Sequence, residues 1–283
     1  MHQKMFALPG KITEGTILKR PSLSCKTPYV ADVLISDENG LISNMAHTPA
    51  LGCCGLCDKD ATVLMTSVVA KKNVCSYRVD LSLYFEPKIN DSIIIGTNPK
   101  IAEELVNAML QQNALGFLKD LQSFQREKKI EGTNSRFDFA GVDANGEPFI
   151  MEVKNVPLAD YVDCSSKDRK KMDPAKFEDV PYNEKIAYFP DGYRKQAKDA
   201  ISPRALKHMN ELADLCETRQ YRTIMCYVIQ RDDVSSFQPS VIDPIYREAF
   251  YNARERGVEM RAIQFRWDKN GNSQLINDDL TIN

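Results

Sequence analysis

The sequence predicts a mixed α/β (α+β) protein in two parts, a small antiparallel barrel or sandwich followed by a larger domain whose helices flank a mixed sheet. Three observations carry this expectation. Short β-branched-rich segments separated by turn residues fill roughly the first 85 positions. Apolar spacing then turns helical after Asn98 and Pro99. Beyond that, strand-like apolar runs alternate with helix-like stretches, as in domains that cover a sheet with helices.

In chain order, residues 12–18, 29–35, 61–69 and 75–84 read as strands of the first part, and the small antiparallel architecture follows from their rhythm. Glu86-Pro87-Lys88-Ile89-Asn90-Asp91 is polar and contains a proline, so the boundary is expected there, giving domains 1–86 and 87–283. Ile93-Ile94-Ile95 reads as a buried strand opening the second domain. Asn98 and Pro99 supply an N-cap and a first-turn proline, and Ile101, Leu105, Ala108 and Met109 repeat at helical spacing behind them. A hairpin follows, then a helix over 204–218, an apolar strand over 223–229, a helix over 244–256 and a strand over 259–267.

The hairpin carries the chemistry. Ser135-Arg136-Phe137-Asp138-Phe139 and Phe149-Ile150-Met151-Glu152-Val153-Lys154-Asn155 flank the turn Asp143-Ala144-Asn145-Gly146-Glu147. Asp at the first position of a type I turn and Gly at the fourth predict a three-residue loop closed by a left-handed glycine. Asp143 then faces Glu147, and counting back sets Asp138 opposite Glu152, with Lys154 on the same face. A two-residue Asn-Gly turn would shift the pairing by one and send Asp138 to the other face. Paired carboxylates beside a lysine can hold a hard divalent cation and work on a phosphodiester. The plainer reading makes the three solvated residues on an exposed hairpin face.

Composition narrows the classes. The 283 residues are 43% hydrophobic, enough for a sizeable core, and 37 basic against 39 acidic side chains leave a formal charge of -2. Attraction for nucleic acid must therefore be local. No apolar run is long enough to span a bilayer and no secretory pattern opens the chain, so a cytoplasmic protein with no membrane association is expected. Eight mostly scattered cysteines in a chain of this size predict reduced thiols.

With these segments placed, the chain resembles the sugar fermentation stimulation protein A family. The resemblance rests on Ser135 to Phe139, Glu152-Val153-Lys154-Asn155-Val156, Ala187-Tyr188-Phe189-Pro190-Asp191, Arg204 with Lys207-His208, Val228-Ile229-Gln230-Arg231, and Ile242-Asp243-Pro244 with Gly257-Val258-Glu259. It implies an N-terminal OB-like β-barrel followed by a PD-(D/E)XK nuclease-like domain. It also implies that Asp138 and Glu152 are metal ligands, that Val153 offers a carbonyl, and that Lys154 orients water or stabilises charge on phosphate. Glu127 looks like the further acid of the family pattern, with Glu103 and Glu104 competing for that role. The cofactor expected is Mg2+ or Mn2+ and the partner nucleic acid, DNA first. The family is also described as a DNA-binding regulator of sugar metabolism, so a non-cleaving regulator is the alternative.

Two departures from the pattern stand out. The barrel segment from Ala46 to Cys57 differs from the Cys-Pro-Asn-Thr-Gly-like run of bacterial members. Insertions at about 161–185 and 192–202 follow the Glu-x-Lys strand. The first holds Lys167, Arg169, Lys170 and Lys171, which with Arg136, Arg204 and Lys207 are the candidate phosphate contacts. Arg194, Lys195 and Lys198 add charge in the second. The 161–185 segment has six acidic and six basic side chains, so a merely solvated loop is its other reading.

His47, Cys53, Cys54 and Cys57 suggest a zinc-stabilised interaction module, but a structural zinc site normally needs two close ligand pairs and no second pair exists, which disfavours zinc. His208 reads as structural or phosphate-facing. No GxxxxGK loop is present, so nucleoside triphosphate chemistry has no support. An exposed barrel edge would suit a homodimer.

Overall fold

The computed structural model describes residues 6–38, 40–48, 55–68, 74–190 and 199–283. Along the chain these form β1 (Phe6–Ala7), β2 (Ile12–Lys19), β3 (Val30–Asp37), β4 (Gly40–His47), β5 (Thr62–Ser67), β6 (Tyr77–Glu86), β7 (Asp91–Gly96) and helix α1 (Pro99–Gln111). Strands β8 (Ser123–Lys129), β9 (Arg136–Val142), β10 (Pro148–Val156) and β11 (Ala159–Asp160) follow, then the short α2 (Ser166–Arg169) and β12 (Lys185–Phe189). The chain continues with α3 (Pro203–Glu217), β13 (Arg222–Ile229), β14 (Val234–Pro239), α4 (Pro244–Glu255), β15 (Glu259–Trp267) and β16 (Asn272–Asn277).

The first six-stranded sheet has the order β4-β3-β2-β5-β6-β7 and curls until β4 also pairs with β6 through Ala46 and His47. Alternating residues such as Ile17, Val33, Val63, Met65, Val79 and Ile95 point inward and are fully or almost fully buried. This is the small OB-like barrel expected. One expectation changes: Ile93–Ile95 belongs to β7, which pairs with β6 and completes the barrel sheet rather than opening the second domain. An apolar triplet reads alike in either sheet, because its partner is chosen by tertiary pairing. The first strand departs too, since β1 pairs with β16 in the other sheet, where Phe6 meets Trp267 edge to face with ring centroids 6.2 Å apart.

The second sheet has the order β1-β16-β15-β13-β10-β9-β8. Its centre is parallel, β10 to β13 to β15, and its flanks are antiparallel. Helix α1 covers one face with Ile101, Ala102, Leu105, Val106 and Met109, against Phe139, Phe149, Met151 and Val153. Helices α3 and α4 cover the other, where Met209, Leu212 and Phe250 pack on Ile150, Tyr227 and Ile229. A mixed sheet flanked by helices results, as expected. A small third sheet, β11-β12-β14, sits beside it.

All three long helices begin with the same local device. Asn98, Ser202 and Asp243 each accept a hydrogen bond from the first-turn backbone, and a proline follows each cap. Asp243 also accepts from Ile201 N–H at 2.7 Å, tying the chain before α3 to the start of α4. A buried ionic cluster joins the two parts of the molecule. Lys185 Nζ lies 2.6 Å from Glu86 at the end of the barrel strand β6 and 2.7 Å from Asp233, which Arg231 also grips at 2.6 Å. No described helix is long and apolar enough to cross a membrane.

Candidate active site

The β9–β10 turn sets the geometry. Asp143 N–H donates to Glu147 O at 2.9 Å, Gly146 N–H donates to Asp143 O at 3.1 Å, and Gly146 takes a φ of +85°. The Asp143 carboxylate accepts from the amides of Asn145 and Glu147 and holds the loop. The ladder then pairs Phe149 with Gly141 and Met151 with Phe139, so Asp138 and Glu152 are next in register, as the turn residues predict. Close approach of β8 and β9 depends on Gly141, where a Cβ would fall 2.1 Å from Ser123 O.

Beyond that last pair the ladder is replaced by a side-chain contact, in which Val153 N–H donates to Asp138 Oδ2 at 2.7 Å. In an extended strand the N–H and C=O of one residue face the same edge, so the Val153 carbonyl also faces this gap. Glu103 from α1 and Glu127 from β8 close in on Asp138, and carboxylate oxygens of the three lie within 4.8 Å of one another. Glu127 achieves this with a φ of +54°, a strained left-handed conformation for a non-glycine residue in a strand. Glu104 turns away to Arg126, at 2.8 Å.

Glu152 is 1% exposed and stands slightly apart from the three acids. Its Oε1 contacts Lys154 Nζ and His208 Nδ1, while its Oε2 is buried with no hydrogen-bond partner. Burial pushes the Glu152 carboxyl up, but the Lys154 ammonium and the His208 hydrogen bond outweigh it and hold the group below the usual range. Asp138 goes the other way. Burial and then the Glu152 charge raise it to about 7, against the weaker pull of Lys154 and the Val153 amide. Glu103 is also raised, by burial and by the Glu127 charge. Four carboxylates thus crowd one gap with Lys154 at its side, and an orphaned buried oxygen is costly unless something is bound there.

The cluster gathers Asp138, Glu152, Lys154 and Glu127, and brings Glu103 in as well. His208 is the residue sequence reasoning did not assign to the site. Its signal is its place in the buried stripe Ala205, His208, Met209 and Leu212, where a polar ring needs a partner. Among the candidate phosphate contacts, Arg136, Lys167, Lys170 and Arg204 are exposed. Lys171 is paired with Asp168 at 3.1 Å and Lys207 with Glu211 at 3.8 Å. Arg169 is bound to Asp160 at 2.6 Å. Arg194, Lys195 and Lys198 lie outside the described residues, as do Cys53 and Cys54. His47 stacks on Tyr29 and Cys57 is buried in the barrel core, and neither joins a close ligand cluster among the described residues.

Comparison with known proteins agrees with this architecture. The model of the sugar fermentation stimulation protein RE domain matches residues 100–167 and 178–271. A sugar fermentation stimulation protein homolog of Agrobacterium fabrum is 31% identical over 181 residues, 64% of this chain and 62% of its own length, so that match spans less than two thirds of the relative. A homolog of Alteromonas mediterranea is 27% identical over 256 residues, 89% of each chain. Among solved structures, SfsA of Pyrococcus furiosus, described as a complex with Ca2+, superposes with a TM-score of 0.74 over 99% of both chains at 17% identity, a likeness of fold.

Proposed function

The chain belongs to the sugar fermentation stimulation protein family, and from that membership and its carboxylate cluster we propose that it is a divalent-metal-dependent nuclease that hydrolyses phosphodiester bonds. The observation that carries the reading is the buried, unpartnered Oε2 of Glu152 beside three carboxylates within 4.8 Å of one another. Structural ion pairs do not balance it, because Asp138 and Glu103 remain raised toward the neutral form although Lys154 lies beside the first and Arg126 stands 3.7 Å from the second.

The donor set fits a hard cation such as Mg2+ or Mn2+, since every side-chain candidate is a carboxylate oxygen. Asp138 and Glu152 would hold it, with Glu103, Glu127 and the Val153 carbonyl as further oxygen donors. The Pyrococcus protein's complex with Ca2+ supports this choice of ion class. The bound cation would supply Lewis-acid polarisation of a phosphoryl oxygen and a more acidic water.

The chain's own residues do the rest. Lys154 places an ammonium next to Glu152, where it can donate to a phosphate oxygen or to the attacking water. His208 fixes the Glu152 carboxylate through Oε1 and leaves Oε2 for other work. Exposed Arg136 and Arg204 are suited to the phosphate backbone, contacts that position a strand without reading its sequence. DNA is the first substrate to test.

The test is incubation of the purified protein with single- and double-stranded DNA and with RNA, in Mg2+, Mn2+ or EDTA. The reading expects metal-dependent cleavage that Asp138→Ala, Glu152→Ala and Lys154→Ala each abolish. Cleavage of equal rate by Asp138→Ala overturns it. Salt-sensitive binding with no cleavage under any condition would instead identify a non-cleaving DNA-binding regulator.

A further inference from the structure

A second cavity lies between the barrel and the small third sheet. It encloses about 650 Å³, within the range of roughly 300–1,000 Å³ typical of small-ligand sites. None of the carboxylate-cluster residues lines it. Its barrel wall is the end of β6, where Tyr84 and Phe85 are 43% and 56% exposed although both rings are large and apolar. The facing wall is Tyr161 and Arg169, from the segment that follows β11.

That facing wall is held by aromatic and cation packing. Tyr161 stacks on Phe177 with centroids 5.3 Å apart, and Arg169 lies over the other ring of the pair, 4.8 Å from the Phe177 centroid. Lys88, just after β6, sits 4.7 Å over Tyr161 and donates to the carbonyls of Phe177 and Val180, fastening the segment to the barrel. The family match is interrupted at 168–177, so Arg169 and Phe177 fall outside it.

The charge of the walls selects the ligand. Arg169, Lys185 and Arg231 face the cavity, but so do Asp60, Glu86 and Asp160, and all three cations are already ion-paired. A phosphate would meet no net positive charge there. What the cavity does offer is aromatic surface beside fixed cations: Lys185 Nζ lies 5.3 Å from the Tyr84 ring and 5.5 Å from the Tyr161 ring. In addition, the Tyr161 hydroxyl oxygen is buried with no hydrogen-bond partner. The exposed Tyr84 and Phe85 rings, the polar edges and the balanced charge suit a flat, neutral heterocycle that stacks and hydrogen-bonds.

We propose that this cavity is a nucleobase pocket, which takes an unpaired base of the strand engaged at the carboxylate cluster and leaves the phosphates outside. The inference rests on the nucleic-acid reading above, and it narrows the substrate class to strands that carry unpaired bases. A base inside a duplex cannot enter without being extruded, so single strands and damaged or mismatched sites are preferred.

The test compares the full-length protein with Tyr84→Ala and Phe85→Ala, in EDTA to prevent cleavage. The probes are a fluorescent 15-nucleotide oligothymidylate, the same strand with abasic sites in place of its bases, and a duplex. Both side chains are exposed enough to be removed without a cavity in the core, and unchanged thermal unfolding with unchanged stabilisation by Mg2+ confirms an intact carboxylate site. The expected result is about ten-fold weaker binding of the oligothymidylate by each variant, and no difference between variant and wild type on the abasic strand. Oligothymidylate binding that ignores both substitutions, or wild-type binding that does not distinguish the abasic strand, overturns the pocket and leaves the nuclease reading standing. Failure of the wild type to bind any of the three probes, in EDTA and again with Ca2+ in its place, overturns both.

Discussion

Replacing Asp138 by asparagine should make the metal-free protein more stable. Burial and the Glu152 charge raise the Asp138 carboxyl from its ordinary 3.8 to about 7, so the folded state disfavours its ionised form. For an acid raised on folding, the cost is absent below the unfolded value and grows as pH rises from about 4 to 7. By linkage it reaches on the order of 4 kcal/mol at pH 8 and about 2 kcal/mol at pH 5. Local relaxation and water penetration lower these figures, so about 2 kcal/mol at pH 8 is the working expectation. Asparagine carries no charge, and its carbonyl oxygen can still accept from Val153 N–H.

The assay is chemical unfolding of both proteins in EDTA at pH 8 and pH 5, then at pH 8 with added Mg2+ or Mn2+. Asp138→Asn should be the more stable protein in EDTA at pH 8, with the gap falling by about half at pH 5. Added metal should stabilise the wild type and reverse the order, because the variant has lost a ligand. A variant less stable than wild type in EDTA at pH 8, or equal stabilisation of both by metal, would refute the view that the carboxylates are gathered at an electrostatic cost in order to hold a cation.

Other substitutions separate chemistry from scaffold. Lys154→Met should lower kcat for phosphodiester cleavage by about 100-fold or more while metal still raises the unfolding midpoint, as read by single-turnover kinetics and thermal unfolding. Lys185→Met strands Glu86 and leaves Asp233 to Arg231 alone at the junction of barrel and second domain, and should cost about 3 kcal/mol in urea unfolding. Burial pushes the Asp233 carboxyl up, but Arg231 and Lys185 outweigh it and hold the group below 3.8. Its contribution is therefore complete above pH 4 and is lost as pH falls through the lower folded value, so Asp233→Asn should flatten acid unfolding below pH 4. Gly141→Ala would place a Cβ 2.1 Å from Ser123 O and should destabilise by about 2 kcal/mol in the same assay, or aggregate on expression.

Much of this arrangement is legible locally. The Asp143-Ala144-Asn145-Gly146-Glu147 turn specifies its own register, and so brings Asp138 level with Glu152 before any tertiary contact is known. Asn98 with Pro99 marks the start of α1 by the same local physics, and Ser202-Pro203 and Asp243-Pro244 repeat the device at α3 and α4. What is not legible depends on partners distant in sequence. Ile93–Ile95 pairs with β6, which only the closing of the barrel decides. Glu103 reaches Asp138 because α1 packs across the sheet, and Glu127 does so through a left-handed backbone that no strand pattern anticipates. His208 hides among apolar neighbours of α3, and only the buried Glu152 carboxylate explains a polar ring there. The cavity at Tyr84 and Tyr161 joins segments on either side of the second sheet's first hairpin, so no single stretch of sequence announces it.

The central claim is that the carboxylates of α1, β8, β9 and β10 form a cation site. Its most direct measurement is anomalous diffraction from crystals soaked in Mn2+, with Asp138→Asn crystals treated alike. The account predicts an anomalous peak between Asp138 and Glu152, within bonding distance of both carboxylates, and its loss in the variant. A saturating soak that leaves that position without a peak, or a peak of the same strength in Asp138→Asn, would contradict it.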